Sequence, residues 1–98
     1  MKTLPRNAVP YKRTNEFSDS SVPSALLRGH STKQGAWGKI VVLEGELTYR
    51  ILEPRVEEVL LSPGNSGVIE PTIRHEVVPK RGVRFYVEFY HVGNDREA

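Results

Sequence analysis

Apolar positions along this chain come in short runs, and turn-forming residues separate them. Pro or Gly recurs from Pro23 through Gly29, Gly38, Gly45, Pro54, Pro63 and Pro71 to Gly82, so no helical period persists. Spacing of this kind predicts short antiparallel strands in an all-β sandwich or barrel. The strongest strand signal is the last one, Val83–Val92. There Val83, Phe85, Val87 and Phe89 share one parity, while Arg84, Tyr86, Glu88 and Tyr90 share the other. The aliphatic and Phe side is expected in the core. The Tyr and Glu side is amphipathic, and it suits a pocket wall or a dimer interface.

Two further runs, Gly38–Leu43 and Glu46–Leu52, meet at Glu44-Gly45, an acidic-Gly step that predicts a tight hairpin. Val56–Leu61 follows, then a turn over 63–67, then Val68-Ile69 and Ile73–Val78. Residues 1–20 are polar, carry Pro5 and Pro10, and keep neither period. They are expected to form an arm over the domain, with room for one short strand. The β domain is expected over 21–92, with a frayed tail over 93–98.

Composition narrows the function classes. A chain of 98 residues suits one domain with one core and one pocket. The absence of cysteine excludes disulfides, zinc ribbons and thiol catalysis, and it fits a reducing compartment. Fourteen Lys and Arg against twelve Asp and Glu leave a net charge of +2, with no continuous basic face interleaved with aromatics, so nucleic acid is not an expected partner. No apolar run reaches the length of a signal peptide or a membrane span, so a cytoplasmic protein with no membrane partner is expected. Small sheets leave unpaired edges, so a homodimer is expected, with Val9, Tyr11 and Phe17 of the arm as contacts.

Three strings carry a resemblance to a known family. LLRGHSTKQGAWGKIVVLEGEL, GVIEPTIRHEV and FYVEFY, spread between Pro23 and Tyr90, resemble the TehB-like tellurite-resistance domains. These are small single-domain cupins that include YeaR-type proteins and the N-terminal domain of some TehB methyltransferases. The run His30 to Lys39 is the most specific piece. The resemblance implies a double-stranded β-helix, or jelly-roll barrel, and a role related to stress response. It does not imply methyl transfer, because these strands leave no room for a nucleotide-binding αβ unit with a Gly-rich first turn. The chain departs from the general cupin pattern, in which two His separated by one residue are followed by a Glu. Here His30 is followed by Ser31 and Thr32, and the usual Glu falls near Trp37-Gly38.

In such a barrel the motifs carrying His30 and His75 face each other, so the resemblance implies one shared pocket. Imidazole suits zinc, nickel or iron. Candidate third ligands are Glu88, on the Tyr side of the last strand, and Glu70, five positions before His75. Glu88 is the preferred third ligand of the two; either carboxylate also reads as a surface residue, Glu70 above all, or as a partner that orients a His. With one His missing from the first motif, any such metal is expected to be weakly held, with water filling the remaining positions. Trp37, Lys39 and Tyr86 are expected around the pocket, and Lys33 with Lys39 suits an anion near His30. His91, on the other parity, reads as structural or exposed. Three readings stay open: a binding domain for a small molecule or oxyanion, a metal-dependent enzyme of oxygenase type, and a regulatory subunit with a vestigial pocket.

Overall fold

The computed structural model describes residues 1–92, and the tail expected over 93–98 lies outside the described residues. In chain order the elements are β1 (Ala8–Arg13), β2 (Phe17–Ser18), a 3-10 helix (Ser24–Leu27), β3 (Ala36–Glu44), β4 (Leu47–Ile51), β5 (Glu57–Leu61), β6 (Gly67–Ile69), β7 (His75–Pro79) and β8 (Arg84–Val92). All the strand pairs are antiparallel. One sheet has the order β1-β8-β3-β6, with β2 also on β8, and the other has the order β5-β4-β7.

The all-β expectation holds, with one correction. The molecule is two facing sheets and not a closed barrel, since no ladder among the described strands joins one sheet to the other. Side chains close the gap instead. Alternate residues of β3 and β8, among them Ile40, Val42, Phe85 and Val87, point inward and meet Leu47, Tyr49, Leu61 and Val77 of the second sheet in one buried cluster. Each large apolar side chain buried there contributes about 1.5–3 kcal/mol. Tyr49 adds a polar tie, its Oη donating to the Val68 carbonyl across the sandwich at 2.9 Å.

The β3–β4 hairpin turns where Glu44-Gly45 predicted it, with Gly45 at φ +77°. A Cβ there would lie 3.0 Å from the Val83 Cα, so glycine meets both the backbone conformation and the close approach. The arm differs more from its expectation. It holds two strands, and β1 pairs with β8 from Ala8↔Val92 to Arg13↔Glu88. Almost all of β1 is solvent-exposed, so neither face demanded apolar residues, and the period-two signal is missing for that reason. β7 begins at His75 and not at Ile73, because Thr72 at φ +66° still belongs to the preceding turn.

Phe89 also departs from its expected place in the closed core. It is only partly buried, because the sandwich opens at that end of β8 and leaves a cavity that Phe89 lines. No helix among the described residues is long and apolar enough to cross a membrane.

Candidate functional site

The site grows from a two-residue bridge. His30 and His75 stand directly opposite each other as an isolated antiparallel pair, and each backbone N–H donates to the other's carbonyl at 2.7 Å. Residues paired in this way project their side chains to the same face. The two imidazoles therefore meet, with ring centroids 5.5 Å apart and planes at 87°. On its other side His75 pairs with Ile51 of β4, which puts its ring on the inner, apolar face of the smaller sheet beside Tyr49, 5.9 Å between centroids.

His75 is 1% exposed and is the buried polar side chain of the core. Its Nδ1 lies 3.1 Å from the Ile73 carbonyl. A carbonyl only accepts, so Nδ1 carries the proton and Nε2 presents a bare lone pair. That Nε2 is buried and has no hydrogen-bond partner among the described residues. Burial pushes the imidazole below its ordinary pKa; the Ile73 carbonyl opposes this, and the charge of His30 adds to it. His75 thus presents Nε2 as an acceptor in an apolar setting.

Both rings line a cavity of about 210 Å³. Ile69, Val87 and Phe89 line it from the larger sheet, and Ala25 and Leu26 line it from the 3-10 helix. The two hydroxyls on its wall are already engaged: Thr32 donates to the Ala36 carbonyl at 2.7 Å, and Thr14 donates to the Asn15 carbonyl and accepts from the Val87 N–H. The loop that carries His30 is held from behind. Glu76 accepts from the Gly29 N–H at 3.3 Å and is itself paired with Arg50, which keeps its carboxyl below the usual range.

The other predicted residues fall elsewhere. Glu88 lies on the opposite face of β8 from Val87 and Phe89, where it accepts from Tyr90 Oη at 2.7 Å and sits 3.4 Å from Arg13. Tyr86 shares that outer face, with the Arg13 guanidinium 4.4 Å from its ring centroid. Trp37 and Lys39 follow the same parity on β3, opposite Tyr90 and Glu88 in register. The reason is the pleat: β3 turns Ala36, Gly38 and Ile40 inward, so 37 and 39 must point out. Glu70 lies toward a different depression, shared with Glu57 and Ile51, and pairs with Lys2 at 3.4 Å. Among the described residues no three of His, Asp and Glu are grouped as a metal site. The cavity's other walls, Leu26, Phe17 and Thr32, were not anticipated. Ser24-Ala25-Leu26-Leu27 is a short apolar run after Pro23, and that was the available signal.

Comparison with known proteins turns on one match. The family model of the TehB-like domain matches residues 12–87. The chain belongs to the TehB-like domain family. The matched segment includes both histidines, with β7 and the loop that carries His30. Among solved structures, a protein of Escherichia coli K12 superposes with a TM-score of 0.85 at 17% identity, covering 96% of this chain and all of that one. TehB from Haemophilus influenzae superposes with a TM-score of 0.82 at 25% identity, over 89% of this TehB-like chain but only 32% of its own length. The chain thus spans about a third of that TehB. A looser likeness in fold, with a TM-score of 0.52 at 21% identity, joins 65% of the chain to 34% of FeII HppE. A search of curated protein sequences finds no match.

Proposed function

We propose that this TehB-like domain is a cupin-type binding domain, whose ligand is a small, mainly apolar molecule seated between the sheets and anchored on His75. The observation that carries this reading is the buried, unpartnered Nε2 of His75 in the wall of an apolar cavity. An orphaned acceptor costs about 1–3 kcal/mol, which a ligand O–H or N–H recovers. Binding pockets are commonly apolar with a few such polar groups. A cavity of about 210 Å³ exceeds the roughly 150 Å³ that accepts a benzene ring, so one substituted ring fits. No Lys or Arg lines the inner cavity, and so a bare oxyanion has no countercharge there. A cytoplasmic homodimer tied to stress response belongs to the same proposal, supported by a cysteine-free chain and by the family.

A second reading rests on the ring pair itself. Two imidazoles bound to one ion at about 2.1 Å hold their centroids roughly 5–6.5 Å apart, and these stand at 5.5 Å. His30 and His75 would hold a zinc, nickel or ferrous ion as two nitrogen donors, and such an ion would polarise an oxygen of the ligand. Glu88 and Glu70, each engaged with a cation elsewhere, supply no third donor as they stand. The two-histidine set therefore fits a weak, open site and lacks the carboxylate that an oxygenase triad requires.

Histidine nitrogen NMR of the full chain tests both readings. The first expects a His75 Nε2 signal typical of a bare lone pair that moves when phenol is added, and expects His75→Gln to weaken phenol binding. The second expects zinc or nickel to move both His30 and His75 signals, and His30→Ala or His75→Ala to abolish saturation. An Nε2 that is protonated at pH 8 removes the first reading.

A further inference from the structure

The cavity does not end at His30. His30, Thr32 and Phe89 line both the inner cavity and a second, outer depression of about 420 Å³. His75 lines the inner one alone, and Lys12 and Lys33 line the outer one alone. The two volumes therefore share a wall, and the chemistry that lines them changes from one to the other. The inner one has apolar walls and one imidazole acceptor, and Lys12 and Lys33 line the outer one. No Asp or Glu lines either volume. Lys12 and Lys33 are exposed, and neither has an ion-pair partner among the described residues.

This inference rests on the ligand reading above and names the class. We propose that the ligand is a small apolar carboxylate bearing a hydroxyl, its body in the inner cavity, its hydroxyl donating to His75 Nε2, and its carboxylate outside beside Lys12 and Lys33. Each group of the ligand then meets the only setting that suits it. A carboxylate drawn into the apolar cavity would lose its hydration with no cation to replace it. At the mouth it keeps water and gains two positive charges. The hydroxyl is the reverse case, since inside it satisfies an acceptor that no other described residue reaches. With Nδ1 lying 3.1 Å from the Ile73 carbonyl, Nε2 is the ring nitrogen left to accept. An amine of the same shape would set its charge against two lysines. The volume limits the body to about one ring, and hydroxylated aromatic acids fit that description.

Calorimetric or NMR titration of the full chain with 4-hydroxybenzoate, benzoate and phenol tests the assignment. 4-Hydroxybenzoate should bind tightest. The double variant Lys12→Ala/Lys33→Ala should weaken it about fivefold, the size of two exposed charge pairs, and leave phenol unchanged. High salt should reproduce that loss in the native chain. His75→Gln should remove the preference for 4-hydroxybenzoate over benzoate. Both lysines are on the surface, so unchanged amide signals outside the mouth confirm that the double variant is folded. If phenol binds as tightly as 4-hydroxybenzoate, or if the double variant retains full affinity for the acid, the carboxylate assignment falls while the apolar-ligand reading stands. If none of the three probes binds, both fall.

Discussion

Below about pH 6.5 an imidazole in the unfolded chain takes up a proton that His75 resists in the folded one, because burial lowers its pKa. The unfolded state then binds more protons than the folded state. Stability is therefore fully present above about pH 6.5 and is lost as pH falls from there toward the folded pKa. Urea unfolding at pH 7.5 and pH 5.5 should show the native chain losing stability on acidification, and His75→Gln losing distinctly less. An equal loss in both would mean that His75 is not the titrating group. Tyr49 offers a second residue-level check. Its hydroxyl ties the two sheets through the Val68 carbonyl, so Tyr49→Phe should lower the unfolding free energy by about 0.5–1.5 kcal/mol. At this scale the His30 and His75 pairing was legible, since both residues stand in motifs that resemble the family's. The bare Nε2 was not, because it depends on the Ile73 carbonyl lying 3.1 Å from Nδ1, which the turn before β7 decides.

The elements follow their local chemistry where one face is buried. β3 and β8 alternate as their sequences do, and the β3–β4 turn sits at Gly45. That turn carries a prediction. Gly45→Ala would need a side chain at φ +77° and place its Cβ 3.0 Å from Val83 backbone, whereas Gly64 at φ +85° has open space around it. Both changes incur the roughly 1–2 kcal/mol of the left-handed conformation, but Gly45→Ala should destabilise more. Denaturant midpoints of the two variants measure the difference, and equal midpoints would show that the contact with Val83 relaxes freely. β1 shows the opposite case: its ladder to β8 is made by backbone groups, which leave no trace in the side-chain pattern. The 3-10 helix was missed for a related reason, since four residues with no buried member are too few to set a period.

For the molecule as a whole, two open sheets leave outer strands that a closed barrel would not. Among the described residues β5 and β6 each have one unpaired side, and Val56, Leu60 and Val78 are exposed apolar residues on or beside the smaller sheet. A two-fold dimer remains our expectation, to be read as twice the chain mass by sedimentation at micromolar concentration. A monomer mass there would remove it. The outer face of β8 and β3, with Trp37, Tyr86, Glu88 and Tyr90, suits such a contact better than it suits the ligand, because it faces away from the cavity.

The sequence by itself determined the all-β class, the inward set on β8, the main hairpin, and which two histidines stand together. Those follow from rules that act within a few residues: period two, turn chemistry, and a motif around each histidine. Only the tertiary structure decided which carboxylates are out of reach, that the sheets stay open, and that Lys12 and Lys33 stand at the mouth of the cavity. Each of these depends on register between strands far apart in the chain. A shift of one residue in the ladder between β3 and β8 would turn Glu88 inward and Val87 outward. The alternation of β8 marks Val87 as its apolar side, and the shared burial of Ile40, Phe85, Val87 and Leu47 in one core holds the register that places it there.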